Sequence, residues 1–237
     1  KRLILLLIIP LTLLSQQDEK RLALVIGNAN YDKGPLNNPV NDALLMKSTL
    51  DSLGFDVILG TNLETRGDFL KIVKEFGNKR TDASVALVYY SGHGVQIDSE
   101  NFLLPTQEVF ESESDVLLFA ISVQDVMRYI SGDAKYSNSL LAFSTDAGNI
   151  AADGDGENSI YCENLSKNLL TEDISLEQVF KNVRKEVMIK TDGKQLPQER
   201  NLLTGDTYYL SKSTSDKVNI FIVDASRNNP FRSFKRK

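Results

Sequence analysis

The last apolar run of the chain, VNIFIVDASRNNPF (Val218–Phe231), decides the fold. Its first seven residues, Val218 to Asp224, are apolar except for Asn219 and the terminal acid. Such a run reads as a strand buried on both faces, the kind found inside parallel sheets. It ends on a polar, turn-prone tip that presents Asp224 and Ser226. Working outward, the same character recurs in RLALVIG (Arg21–Gly27), FDVIL (Phe55–Leu59), SVALVYY (Ser84–Tyr90) and LLAFST (Leu140–Thr145), while TYYLS (Thr207–Ser211) reads as an edge strand.

Helical stretches separate these strands. Asn38 is placed to cap a helix, with Pro39 at its first position and Gly54 closing it. Val40, Leu44, Met46, Leu50 and Leu53 fall mostly on one face of that helix. Thr65 and Asp68 have capping-box spacing, with Phe69, Ile72, Val73 and Phe76 directed inward. Ser122 and Asp125 start a helix through Val126, Met127 and Ile130, and Ser175 and Gln178 start another past Val179, Val183 and Val187. Alternating strands and helices predict an α/β fold: a three-layer αβα sandwich with an about six-stranded, mostly parallel sheet covered by helices on both faces. No repeat or long linker divides the chain, and 237 residues suffice for one full core.

Composition excludes several functions. A net charge of −5 gives no reason to expect a nucleic acid partner, and the basic end RSFKRK (232–237) reads as a solvated terminus. One cysteine, Cys162, allows no intrachain disulfide, and one histidine, His93, leaves no zinc site of the Cys/His kind. DGDGEN spaces Asp153, Asp155 and Glu157 like a calcium loop, but Asn158 replaces the required glycine and no glutamate closes it. The expectation is no metal and no other cofactor. The N-terminal KRLILLLIIPLTLLSQQ pairs two basic residues with an apolar run too short for a comfortable span. It reads as a secretory signal peptide, 1–16, which places the mature domain outside the cytoplasm with no stable membrane span.

In a sheet of this kind ligands bind beyond the carboxyl ends of the strands. Two strand tips carry reactive groups: YYSGHG, with Ser91, His93 and Gly94, and DASRNNP, with Asp224 and Ser226. If the two strands are neighbours, His93 and Ser226 face each other as base and nucleophile position. The flanking glycines let the backbone turn tightly, and the amides of Gly94 and Ser226 are placed to meet a developing oxyanion. Any histidine-based catalysis in this chain must use His93.

Five segments together carry a family resemblance: RLALVIGNANY, PLNNPVNDA, VALVYYSGHGVQ, NFLLPT and VNIFIVDASRNNPF. From Lys20 onward the chain resembles the caspase-like peptidases, specifically the bacterial metacaspase and paracaspase branch. The resemblance implies a caspase-like domain over 17–237, with 17–133 and 217–237 like a large subunit and 136–212 like a small one. It implies a cysteine endopeptidase in which His93 is the general base or proton donor. The family's nucleophilic cysteine falls at the position of Ser226. A serine hydroxyl needs far stronger activation than a thiol, so the chain as written should turn over little or nothing. The serine is then an engineered replacement, which the intact motif around it favours, or the mark of a natural degenerate enzyme. A true serine hydrolase is a third alternative, against which stands the missing G-x-S-x-G elbow. Cys162 reads as part of a surface loop leading into a helix, with nothing to bring it to His93.

The resemblance also implies a specificity. The early loop YDKGPLNNPVNDA offers no arginine to hold an aspartate. Instead Asp42, Ser91 and Asp224 map onto residues that line an acidic pocket in the metacaspase-like branch, one that selects Arg or Lys just before the cut bond. Asp42 has a plainer reading as a helix N-terminal acid. The partner expected is a peptide or protein substrate, either cut or, in a pseudo-protease, only bound; monomer and homodimer both stay open. In relatives the nucleophile strand precedes the strand read here as LLAFST, whereas here it comes last. A circularly permuted order is physically feasible, because a gap of roughly 10 Å between strand positions lies within reach of the KSTSD connection.

Overall fold

The computed structural model describes residues 19–131, 138–149, 151, 156–204, 206–210, 217–227 and 229–231. The signal-peptide run 1–16, the acids at 153 and 155, Ser211 and the basic tail lie outside the described residues. In chain order the strands are β1 (Arg21–Gly27), β2 (Phe55–Thr61), β3 (Val85–Ser91), β4 (Gly94–Ile97), β5 (Glu100–Leu103), β6 (Ile121–Ser122), β7 (Ser139–Phe143), β8 (Gln198–Leu202) and β9 (Val218–Asp224). The helices are α1 (Pro39–Ser52), α2 (Arg66–Arg80), α3 (Glu113–Phe119), α4 (Val123–Ser131), α5 (Ile160–Leu169) and α6 (Leu176–Lys190).

The main sheet has six strands in the order β2-β1-β3-β9-β7-β8, all parallel except β8, which runs antiparallel to β7. Every residue of β3 and β9 is buried, as their unbroken apolar runs require. Strand alternation divides the core in two. One face packs Tyr89, Ile220 and Ile222 against α1, α5 and α6; the other packs Val88, Tyr90 and Val223 against α2 and α4. The three-layer sandwich expected from the sequence is the fold observed. Asn219, the polar break in β9, has a structural cause: its Oδ1 accepts from Nε and Nη2 of buried Arg80 at 3.1 and 2.8 Å.

Local signals place most helix starts. Thr65 and Asp68 form a reciprocal capping box, and the hydroxyls of Ser122 and Ser175 accept from the amides of Asp125 and Gln178. Asn38 precedes α1 without a side-chain cap bond; Pro39 at the first turn fixes that start instead. On α1 the inward face is Ala43, Met46 and Leu50, together with Asp42, while Leu44 is half exposed.

Three features depart from the sequence expectation. Residues 207–210 form no strand; the edge beside β7 belongs to Gln198–Leu202, whose polar character suits an exposed edge. Tyr208 and Leu210 are nevertheless buried, and their carbonyls accept from Leu176 N and Arg21 Nη1. A second, antiparallel sheet, β4-β5-β6, follows His93 directly. Its hairpin turns on Asp98 and Ser99, both at positive φ (47° and 69°), the pairing that a two-residue turn demands. α3, capped by Ser112 and Asp115, covers that small sheet through Val116.

Gly27 closes β1 where α1 begins, and a Cβ there would collide with the Pro39 carbonyl and lie 2.8 Å from Ala43 Cβ. Gly27→Ala should therefore lower stability by about 1–3 kcal/mol, the usual cost of overpacking. Urea denaturation measures it, and a change below about 0.5 kcal/mol would show that α1 does not depend on this close approach.

Candidate active site

Pairing between β3 and β9 sets the site. Tyr90 lies opposite Val223 and Ser91 opposite Asp224 at the carboxyl ends of the two strands. Two residues further on, His93 and Ser226 line one pocket of about 600 Å³. The structure thus brings the sequence-predicted base and nucleophile position to one cavity.

His93 is held on three sides. Gly92 enters at φ +155°, where a Cβ would lie 2.6 Å from the Tyr90 hydroxyl and 2.7 Å from that of Tyr31. The His93 amide donates to the Tyr31 hydroxyl at 2.8 Å, and the Tyr90 hydroxyl donates to the His93 carbonyl at 2.8 Å. The Tyr31 ring packs on the imidazole with centroids 4.4 Å apart. Nε2 lies 2.6 Å from the Gly34 carbonyl oxygen, which can only accept, so that contact places the proton on Nε2 and leaves Nδ1 as the basic nitrogen. Sequence reasoning missed Gly34, Tyr31 and Tyr90. The only available sign of Gly34 was its position before Pro35, a turn signal, and its φ is +72°.

Beyond β9 the chain passes close to Gly94: a Cβ built on Gly94 would lie 3.0 Å from both Ala225 Cβ and the Ser226 carbonyl oxygen. The Gly94 and Ser226 backbones are therefore neighbours. Ser226 Oγ accepts from the Ala151 amide at 3.3 Å. Arg227 ties this tip to the loop after β7. Its guanidinium stacks 3.9 Å above the Phe143 ring, and Nε donates to Asn101 Oδ1 at 3.2 Å. Its amide donates to the Asn149 carbonyl at 2.9 Å, and its own carbonyl accepts from Gly148.

On the α1 side of the sheet the acids converge. Asp42 is fully buried and accepts from Ser91 Oγ at 3.1 Å, Asn158 Nδ2 at 3.0 Å and the Ser159 amide at 2.9 Å. Asp224 accepts from the Ser159 hydroxyl at 2.6 Å and the Tyr89 hydroxyl at 3.3 Å. Ser159, unnoticed in the sequence, thus bonds to both carboxylates and also caps α5. Its only sequence signal is a serine before an apolar helical run. Burial, reinforced by the Asp42 charge, pushes the Asp224 carboxyl up to about 7. Burial raises Asp42 as well, against hydrogen bonds that lower it. Among the described residues neither carboxylate forms a salt bridge.

Cys162 is not on a surface loop. It lies in the first turn of α5, fully buried, with Sγ donating to the Asp42 carbonyl at 3.5 Å. Burial and the nearby Asp42 charge raise the thiol, the reverse of what a nucleophile needs. No cluster of three or more metal-ligating side chains occurs among the described residues.

The main sheet thus holds His93 beyond the tip of β3 and Ser226 beyond the tip of the adjacent β9. The family model described as "Caspase domain" matches residues 20–209, and the chain belongs to that family of cysteine peptidases, whose substrates are peptides or proteins. Caspase-1 from Spodoptera frugiperda, a solved structure, is similar at 16% identity, with a TM-score of 0.68 over 83% of this chain and 92% of that one. That likeness establishes the shared fold. No curated protein matches the chain in sequence to a significant degree.

The acid pair makes a pH prediction. A carboxyl whose value rises on folding binds its proton more tightly in the native state, so its stability contribution is whole below about pH 4 and lost as pH climbs through about 7. Asp224→Asn should gain stability relative to the parent between pH 5 and pH 8, by at most about 3 kcal/mol at 1.36 kcal/mol per unit. Urea midpoints of both proteins at pH 5, 6.5 and 8 check this. A constant difference across that range would mean that Asp224 does not titrate there.

Proposed function

We propose that this chain is an endopeptidase of the metacaspase and paracaspase type that cuts after Arg or Lys through a His93 and position-226 dyad. With Ser226 in place it is silent. The observation that carries the specificity is the buried pair Asp42 and Asp224, on one face of the sheet, two residues upstream of the dyad on the β9 side and bonded to Ser91 on the β3 side. Two acids that no cation pairs among the described residues suit a guanidinium or ammonium, which supplies the missing charge and replaces donors from Asn158 and Ser159. His93 Nδ1 would take the nucleophile's proton and later give it to the leaving amine, while Gly34 holds the ring. The backbone at Gly94 and position 226 would meet the oxyanion.

One observation favours a second reading, a pseudo-protease that holds peptides without cutting: position 226 carries a hydroxyl, and among the described residues no carboxylate hydrogen-bonds to His93 to drive it.

Ser226→Cys separates the two. We expect it to cleave Arg- and Lys-ended fluorogenic peptides at least about 100-fold faster than the parent, with Asp-ended peptides untouched. His93→Ala in that background should abolish cleavage. No cleavage of any peptide would leave the binding module standing, and cleavage after Asp alone would overturn the pocket assignment.

A further inference from the structure

Neither Asp42 nor Asp224 lines the pocket that holds His93 and Ser226. Its walls beyond the dyad are Val95 and Leu104 of the small-sheet layer, Val109 and Phe110 of the following loop, and Phe231. Tyr31, Val95 and Leu104 belong to the third hydrophobic cluster, against which Phe110 and Phe231 pack, so this wall is a real apolar surface. Val109 is more than half exposed, which leaves the mouth open. The volume, about 600 Å³, exceeds what the reacting atoms need.

Strand geometry fixes which part of a substrate reaches it. Ser91 and Asp224 point to the α1 and α5 face, where Asp42 lies. Tyr90 and Ala225, one residue earlier and one later, point to the opposite face, which carries the small sheet. Successive side chains of an extended peptide point to opposite sides. If the residue before the cut bond turns toward Asp42 and Asp224, the residue after it turns toward Val95, Leu104 and Phe110.

We propose that this pocket is the subsite for the residue immediately after the cut bond, and that it takes a bulky apolar side chain, Phe or Leu. The inference rests on the endopeptidase reading, which fixes where the bond lies. Asp32, Lys33 and Glu108 stand on the same lining, so both signs of charge are already present there and neither is selected. What the floor offers is apolar area, and filling it gains affinity in proportion to that area.

The test uses the Ser226 protein first, since it holds a peptide without consuming it. Calorimetry compares three peptides identical except for the residue after Arg: Phe, Gly or Asp. We expect the Phe peptide to bind about 10-fold or more tightly than either of the others. Val109→Asp, on the exposed rim where it can fold, should bring that ratio to near 1, and Phe110→Ala should reduce it. The kcat/KM ratio for the same peptides in the Ser226→Cys enzyme should follow the binding ratio. Equal affinities for the three peptides would overturn the subsite, as would a Phe preference that neither substitution alters. If the Cys enzyme cuts nothing while the Phe preference and its loss in Val109→Asp persist, the endopeptidase reading fails and the apolar pocket remains.

Discussion

Everything at this site depends on the register between β3 and β9. Because side chains alternate along each strand, pairing Ser91 with Asp224 sends Tyr89, Ser91 and Asp224 to the helix-covered α1 face and Tyr90 and Ala225 to the small-sheet face. A slip of one residue would reverse every side chain of β9, aiming Asp224 at apolar Tyr90 and Leu103. The register is well protected: β9 is buried on both faces and paired on both edges, so any slip would also break its ladder with β7. One hydrogen-bonded alignment therefore separates a face that carries two acids from an apolar one, with His93 and Ser226 two residues beyond the paired tips.

That separation has an energetic cost. Two carboxylates lie where water is excluded, and their raised proton affinities measure how poorly the surroundings replace solvent. Ser91, Asn158, Ser159 and Tyr89 offset part of the penalty with hydrogen bonds, without supplying a charge. A fold maximised for stability would put apolar groups there. Retaining the acids fits the proposed role, in which a substrate cation completes the pair.

Most of the architecture was legible in the sequence because its signals are local and strong. The unbroken runs at Val85–Tyr90 and Val218–Asp224 admit little besides buried parallel strands, and Thr65 with Asp68 announces a helix start through its own hydrogen bonds. What escaped has weak or distributed signals. Edge strand β8 reads QERNL, and pattern reasoning prefers the apolar TYYL, whose side chains are buried without any ladder. β4 and β5 are four residues each and turn on Asp-Ser rather than on Asn-Gly. Leu44 is exposed because Asp42, not an apolar residue, leads the inward face of α1. At the site, His93 and Ser226 were visible as side-chain chemistry, whereas the group orienting His93 is a backbone carbonyl, and carbonyls carry no residue signature. Ser159 bonds to both acids from more than 60 residues away in sequence on either side, a relation that exists only once the sheet and α5 are packed.

The chain order adds a consequence. β9 comes last in sequence but sits at the centre, between β3 and β7. Within the sheet ladder β9 alone links β2-β1-β3 to β7-β8, while contacts of α1 with α5 join the two sides outside it. β9 carries Asp224, position 226 and Arg227 into place together. The contacts it makes are distant in sequence, so their loop-closure cost is high, and the strand that links the two halves of the sheet also carries residues of the candidate site. No arrangement lacking β9 can hold the acid pair, the nucleophile position or the stacking of Arg227 on Phe143.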